Sequence, residues 1–309
     1  MIDVSKKVIR AVEVLSTVIR GKKDVLEVVF EAFLAEGHVL IEDVPGLGKT
    51  TLALGFAKVL GLSAGRIQCT SDLMPADITG VSVFNPAERK FEFREGPVFN
   101  NVVLVDEINR AMPKTQSALL EAMEERQVTV DGKTRRLPVP FFVIATQNPF
   151  EQAGTFSLPE SQLDRFAVKT AMGYPDVNFE RELLLEKSAR EVISEISPVL
   201  TSDDVANAIE TVKGVYLSEK VADYILAIAW KTRKSEVFRY GLSVRGVLTL
   251  ARVAKARAFL KGRDYVVPED VIEVIPYVVP HRLVLAYRYE DADKKEVVKS
   301  LVEEVEPPA

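Results

Sequence analysis

The sequence predicts an α/β chain, a parallel sheet covered by helices on both faces and then a helical domain. Three observations predict it. Short, nearly continuous apolar runs alternate with helical stretches at 39–41, 66–70, 102–105, 141–146 and 166–170, the pattern of strands buried on both faces. The first run enters a glycine-rich turn, Asp43-Val44-Pro45-Gly46-Leu47-Gly48-Lys49-Thr50-Thr51, and then an Ala-rich apolar segment closed by Gly61. Beyond Gly173-Tyr174-Pro175 no strand candidate of comparable quality follows and helical spacing takes over. The expected division is an α/β core over 1–173 and a helical domain over 174–309.

Each element has a local reason. Residues 3–36 read as two amphipathic helices broken at Gly21-Lys22-Lys23. Two excursions interrupt the alternation, at about 77–97 and 127–137. The first alternates with period two around Asn85-Pro86, and the second places Asp131-Gly132 between alternating runs, so both are expected hairpins. In the second half, Thr201 and Asp204 form a capping-box pattern. Ser218 precedes a helix through Trp230 with Val221, Tyr224, Ile225 and Ile228 on one face. Ser243 begins a long helix to about Lys261, and Pro268 starts another at a first-turn position. The acidic, proline-containing end, 303–309, is expected to fray.

Composition narrows the class. The chain has 309 residues, enough for two domains and a full core. Hydrophobic residues make up 47%, charged residues 28%, and the net charge is -5. That mild acidity argues against a dedicated nucleic-acid binder. One cysteine excludes an internal disulfide, so a reducing cytoplasm is the simplest home, with Cys69 expected as a packing residue. No signal peptide is visible, and no apolar run approaches a membrane span. His38 and His281 lack nearby Cys or His partners, which sets a tetrahedral zinc site aside.

The chemistry begins at the glycine-rich turn. Strand, glycine turn and helix together are the setting in which Gly-Lys-Thr binds phosphate, because curled backbone N–H groups and a helix N-terminus face one anion. Pro45, Gly46, Leu47, Gly48, Lys49, Thr50 and Thr51 are the expected nucleotide-binding residues. Lys49 would neutralise the β- and γ-phosphates, and the Thr50 hydroxyl would sit on Mg²⁺. Asp43 stands where the general pattern has glycine, and is expected to tolerate the left-handed backbone of such a turn.

The run 102–105 leads straight into Asp106-Glu107. Asp106 would hold the Mg²⁺ shell, and Glu107 would orient and polarise the attacking water. Asn148, just beyond the run 141–146, could hydrogen-bond the γ-phosphate and that water. Arg165 precedes the last run and suits a transition state whose charge spreads over phosphoryl oxygens. Taken singly, each has a plainer account: a solvated acidic turn, a turn asparagine before proline, a surface ion pair.

Several segments together carry a family resemblance. Val-Leu-Ile-Glu-Asp-Val-Pro-Gly-Leu-Gly-Lys-Thr at 39–50, Asp106-Glu-Ile-Asn-Arg-Ala and Ala118-Leu-Leu-Glu-Ala-Met-Glu-Glu-Arg-Gln-Val-Thr resemble the MoxR branch of the AAA+ ATPases. So do Ala145-Thr-Gln-Asn-Pro and Leu158-Pro-Glu-Ser-Gln-Leu-Asp-Arg-Phe. The resemblance implies a P-loop AAA+ core with a five-stranded parallel sheet and an all-α lid. It also implies a homo-oligomer, a hexameric ring that binds ATP or ADP with Mg²⁺ between subunits.

Under it, Lys49 and Thr50 match Walker A, Asp106 and Glu107 Walker B, and Asn148 sensor 1. Arg165 matches the arginine finger that acts on a neighbour's ATP. Arg245, in Gly241-Leu-Ser-Val-Arg-Gly, matches sensor 2, carried by the lid to the γ-phosphate. The two hairpins look like inserts that face the pore or an end of the ring. Gly21-Lys22-Lys23 departs from the usual residues near the adenine.

The function implied is an ATPase that remodels or activates client protein complexes, with a separate von Willebrand A domain partner. A nucleic-acid translocase or a magnesium-chelatase-like motor subunit is the alternative. Lys133-Thr134-Arg135-Arg136 on the second hairpin is the best support for the translocase. A nucleotide-gated scaffold is a third reading, against which Glu107 and Asn148 both stand.

Overall fold

The computed structural model describes residues 2–150, 154–185 and 189–308. Its nine core strands are β1 (Val39–Glu42), β2 (Ala64–Gln68), β3 (Gly80–Asn85), β4 (Lys90–Glu95), β5 (Val102–Asp106), β6 (Gln127–Val130), β7 (Lys133–Arg136), β8 (Phe142–Gln147) and β9 (Val168–Thr170). Five of them form one parallel sheet in the order β2-β5-β8-β1-β9. The strand at 66–70 begins earlier than expected, because β2 pairs with β5 from Ala64 opposite Val102 to Gln68 opposite Asp106. Cys69, just past it, is buried.

Strand periodicity sorts the core into two layers. Val39, Ile41, Val102, Leu104, Phe142 and Ile144 face one side of the sheet, whereas Leu40, Val103, Val105, Val143 and Ala145 face the other. Helices α1 (Ile2–Val18), α2 (Lys23–Leu34) and α3 (Lys49–Val59) cover the first side. There Phe56 meets Phe30, Phe33 and Phe142 with ring centroids 4.8, 5.3 and 5.3 Å away, a geometry that favours aromatic pairs beyond area burial alone. The short α4 (Pro75–Thr79) and the longer α5 (Pro113–Glu125) cover the second side, and α6 (Glu160–Leu163) precedes β9.

The helical part holds α7 (Val177–Leu185), α8 (Ala189–Glu195), α9 (Ser202–Lys213), α10 (Glu219–Lys234), α11 (Val244–Leu260), α12 (Pro268–Val278) and α13 (Lys294–Glu303). Its caps follow the sequence. Thr201 Oγ1 accepts from Asp204 N while the Asp204 carboxylate accepts from Thr201 N. Ser218 and Ser243 accept from Val221 N and Gly246 N.

One feature was not foreseen: β10 (Phe238–Tyr240) pairs antiparallel with β11 (Val284–Leu285). Runs of three and two residues are too short for alternation to register. The apolar layer beneath α1–α3 continues unbroken into this part, through Leu250, Val253 and Phe259. Glu31 of α2 also reaches Arg257 of α11 at 2.7 Å, and Arg257 reaches Glu273 of α12 at 2.8 Å.

Both hairpins form. β3 and β4 pair from Gly80 opposite Glu95 to Asn85 opposite Lys90. β6 and β7 join through Asp131 and Gly132, both at positive φ, as a two-residue turn of this handedness requires. The hairpins touch where the Arg135 guanidinium lies 3.8 Å from the Phe93 ring centroid.

Candidate active site

The carboxyl ends of β1, β5 and β8 open onto one cavity of about 300 Å³, where open α/β sheets bind ligands. β1 delivers the chain to the glycine-rich loop. Gly46 and Gly48 adopt φ of +87° and +83°, and a Cβ at either would meet nothing within 4 Å. Left-handed backbone, rather than crowding, therefore demands glycine here. Gly48 is also the N-cap of α3 and provides no side-chain cap, which leaves the donors of the first turn to a ligand.

Asp43 does not have the left-handed conformation expected of it: the loop's positive φ values fall at Gly46 and Gly48. Its carboxylate has another task. Oδ1 accepts from Val44 N at 2.9 Å and Oδ2 from Gly173 N at 2.6 Å. Its carbonyl accepts from Lys49 Nζ at 2.6 Å. Burial holds the Lys49 ammonium below the ordinary lysine value, while Asp43, Asp106 and Glu107 pull the other way.

β5 ends in Asp106, and Glu107 follows in a left-handed conformation, φ 58° and ψ 52°. That turn separates the two carboxylates. Glu107 N donates to Thr146 Oγ1 at 2.9 Å, which ties the turn to the end of β8. Both carboxylates already have partners. Arg66 Nε donates to Asp106 Oδ2 at 2.8 Å. Gln68 Nε2 and Arg110 donate to Glu107 Oε2 at 3.2 and 3.0 Å. Asn148 lines the same cavity, its side-chain Oδ1 accepting from Phe150 N at 3.1 Å. Arg66 and Gln68 escaped the sequence reading. Their place two apart on a strand beside Asp106 was the signal for them.

The structure brings Pro45, Gly46, Gly48, Lys49, Thr50, Thr51, Asp106, Glu107 and Asn148 together around this cavity. Leu47 lines the neighbouring cleft instead. Arg165 and Arg245 are elsewhere. Both reach Glu124 of α5, Arg165 at 2.7 Å and Arg245 in a shorter contact. They line a separate recess of about 240 Å³. Arg245 was expected at the γ-phosphate. The start of α11 instead sits beside α5 and Asp164, whose carboxylate accepts from Ser243 Oγ at 3.1 Å.

A second cleft adjoins the loop on its far side. Val18, Ile19, Leu47, Met172, Tyr174 and Phe179 contribute apolar walls to its volume of about 490 Å³. Lys22 Nζ donates to Tyr174 O at 2.7 Å across it. Uncapped donors, a buried lysine and an apolar slot beside them fit a nucleoside phosphate. The hard oxygens of Thr50 and Asp106 on one cavity wall fit Mg²⁺.

Residues 38–168 match the family described as ATPase family associated with various cellular activities (AAA), and residues 231–305 match the AAA lid domain. Fold and site thus define a P-loop AAA+ core with a helical lid. The chain is 45% identical to Uncharacterized protein YeaC of Bacillus subtilis over 97% of its length and 94% of the relative. It is 40% identical to Chaperone MoxR1 of Mycobacterium tuberculosis, over 90% of this chain and 76% of that one. A crystal structure from Cytophaga hutchinsonii superposes with a TM-score of 0.90 at 35% identity, covering 99% and 96% of the two chains. The chain belongs to the MoxR family of AAA+ ATPases. Among the described residues no helix is long and apolar enough to cross a membrane.

Proposed function

We propose that the protein hydrolyses ATP at the interfaces of a homo-oligomeric ring and uses the cycle to remodel client protein complexes. The observation that carries this is the separation of Arg165 and Arg245 from the cavity of Lys49 and Glu107. A phosphoryl-transfer site needs cations around the terminal phosphate. Within one protomer the two arginines are turned to a different recess, so each site is completed by the next subunit.

In this reading the cleft by Tyr174 takes the base and the Gly46–Lys49 loop takes the phosphates. Thr50 and Asp106 hold Mg²⁺, which supplies charge neutralisation at the phosphoryl oxygens. Glu107 polarises the attacking water, and Asn148 orients it through its amide. Arg165 and Arg245 act on the neighbour's ATP. Residues 1–173 serve as the nucleotide core and 174–309 as the lid that follows its state. The paired hairpins contact the client, and a von Willebrand A domain protein is the expected partner.

Turnover per subunit should therefore rise with protein concentration as rings assemble. Glu107→Gln should bind ATP and assemble while losing at least about a hundredfold in turnover. Full turnover by an isolated monomer, or normal turnover by Glu107→Gln, would overturn the reading.

A further inference from the structure

The recess that holds Arg165 and Arg245 carries more positive charge than its own carboxylates answer. Glu124 is shared between those two arginines. Glu36 is shared between Arg126 and Lys213, at 2.9 Å to each. Asp164 is taken by the buried Arg282 at 2.9 Å. That leaves Arg252. It lines the same recess, and among the described residues no carboxylate lies within ion-pair distance of it. Its hydrogen bond is to the Thr249 hydroxyl at 3.4 Å.

Arg252 stands two helical turns beyond Arg245 on α11, so the two guanidiniums project along one face. The crowding registers in the neighbours. Arg282 is pushed down to about 10, first by burial, with Arg245 and Arg252 adding to the repulsion against the pull of Asp164. A concave site with surplus guanidiniums and every carboxylate committed is a receptor for an anion.

We infer that Arg252 is a further arginine of this recess, donated with Arg165 and Arg245 to the phosphates of the nucleotide held by the adjacent subunit. The assignment rests on the interface reading above and adds a residue to it. A planar fork on a helix face suits a polyphosphate, since each guanidinium can address two oxygens.

Arg252→Ala, at an exposed helical position that alanine favours, should lower turnover about tenfold or more. Below the concentration at which rings assemble, the variant should bind a fluorescent ATP analogue with the affinity of the wild type, because the loop of a lone subunit lies apart from its own Arg252. Arg252→Lys should fall between, because the charge remains and the fork is lost. Mixing Arg252→Ala with Lys49→Ala subunits should restore activity, since roughly a quarter of the interfaces in a random ring pair an intact loop with an intact recess. Arg165→Ala mixed with Lys49→Ala is the reference.

If Arg252→Ala turns over like the wild type, the assignment is overturned. It is equally overturned if its mixture stays inactive while the Arg165→Ala mixture recovers. If neither mixture recovers, the interface reading falls and takes this assignment with it.

Discussion

Asp43 Oδ2 accepts a hydrogen bond from the backbone N–H of Gly173 at 2.6 Å. These residues are the first of the phosphate loop and the last before the chain turns into its helical part. The general loop pattern has glycine at the first position. This chain uses a carboxylate there to fasten the loop to the connection between core and lid.

Asp43→Gly, which restores the general pattern, should therefore weaken nucleotide binding. It orphans the N–H groups of Val44 and Gly173 at about 1–2 kcal/mol. A loss of about tenfold in affinity for a fluorescent ATP analogue is expected. Unchanged or tighter binding would show that the tether has no part in loop geometry.

Arg66 Nε holds Asp106 Oδ2 at 2.8 Å, so under the metal role proposed for Asp106 the guanidinium would compete with Mg²⁺ for that oxygen. Arg66→Gln should lower the Mg²⁺ concentration that half-saturates nucleotide binding by about fivefold, the equivalent of about 1 kcal/mol. Titrating Mg²⁺ against bound nucleotide reads this directly. An unchanged midpoint means the guanidinium moves aside at no cost.

Two buried groups give opposing pH dependence. Burial pushes His38 down to about 4. Its Nδ1 accepts from Val143 N and its Nε2 faces Met123 O. Below pH 6.5 the unfolded chain takes a proton that the folded chain refuses until about pH 4, so stability falls as pH drops through that window. Burial pushes Glu31 up to about 7 against the pull of Arg257. Between about 4.5 and 7 the folded chain keeps a proton that the unfolded chain has lost, so stability falls as pH rises.

Each effect amounts to at most about 3 kcal/mol. His38→Asn, which can still accept from Val143 N, should flatten the acid limb. Glu31→Gln should flatten the other. Urea unfolding at several pH values checks both, and parallel curves for variant and wild type would refute the corresponding assignment.

Asp164 is the counterion of Arg282, whose side chain is 1% exposed. Asp164→Asn strands that charge and should cost about 3 kcal/mol, a fall in Tm of about 5–10 °C by calorimetry. Adding Arg282→Met should recover part of it. Because Asp164 also holds Ser243, the cap of α11, the single variant should loosen Arg245 as well.

The sheet, both hairpins and the helix caps were legible because each is written locally, in period-two runs, an Asp-Gly turn, and Ser or Thr before a helix. The glycine-rich loop and Asp106-Glu107, which line one cavity, were legible for the same reason. What escaped is held across distance. Arg66 meets Asp106 only because β2 and β5 pair in one register, and Asp43 meets Gly173 only once β9 lies beside β1. Arg245 was placed by motif at the phosphates. Its actual position follows from the packing of α11 against α2 and beside α5, which no single segment encodes.

The left-handed turn at Glu107 has a consequence of its own. A glutamate in that conformation costs about 1–2 kcal/mol relative to glycine, so the backbone at the end of β5 is at odds with the side chain it carries. Selection for robustness alone would drift this codon toward glycine or asparagine. If Glu107 polarises the attacking water as proposed, the reaction is what holds it there, and a library of this chain screened for heat resistance without an ATPase assay should lose this carboxylate early.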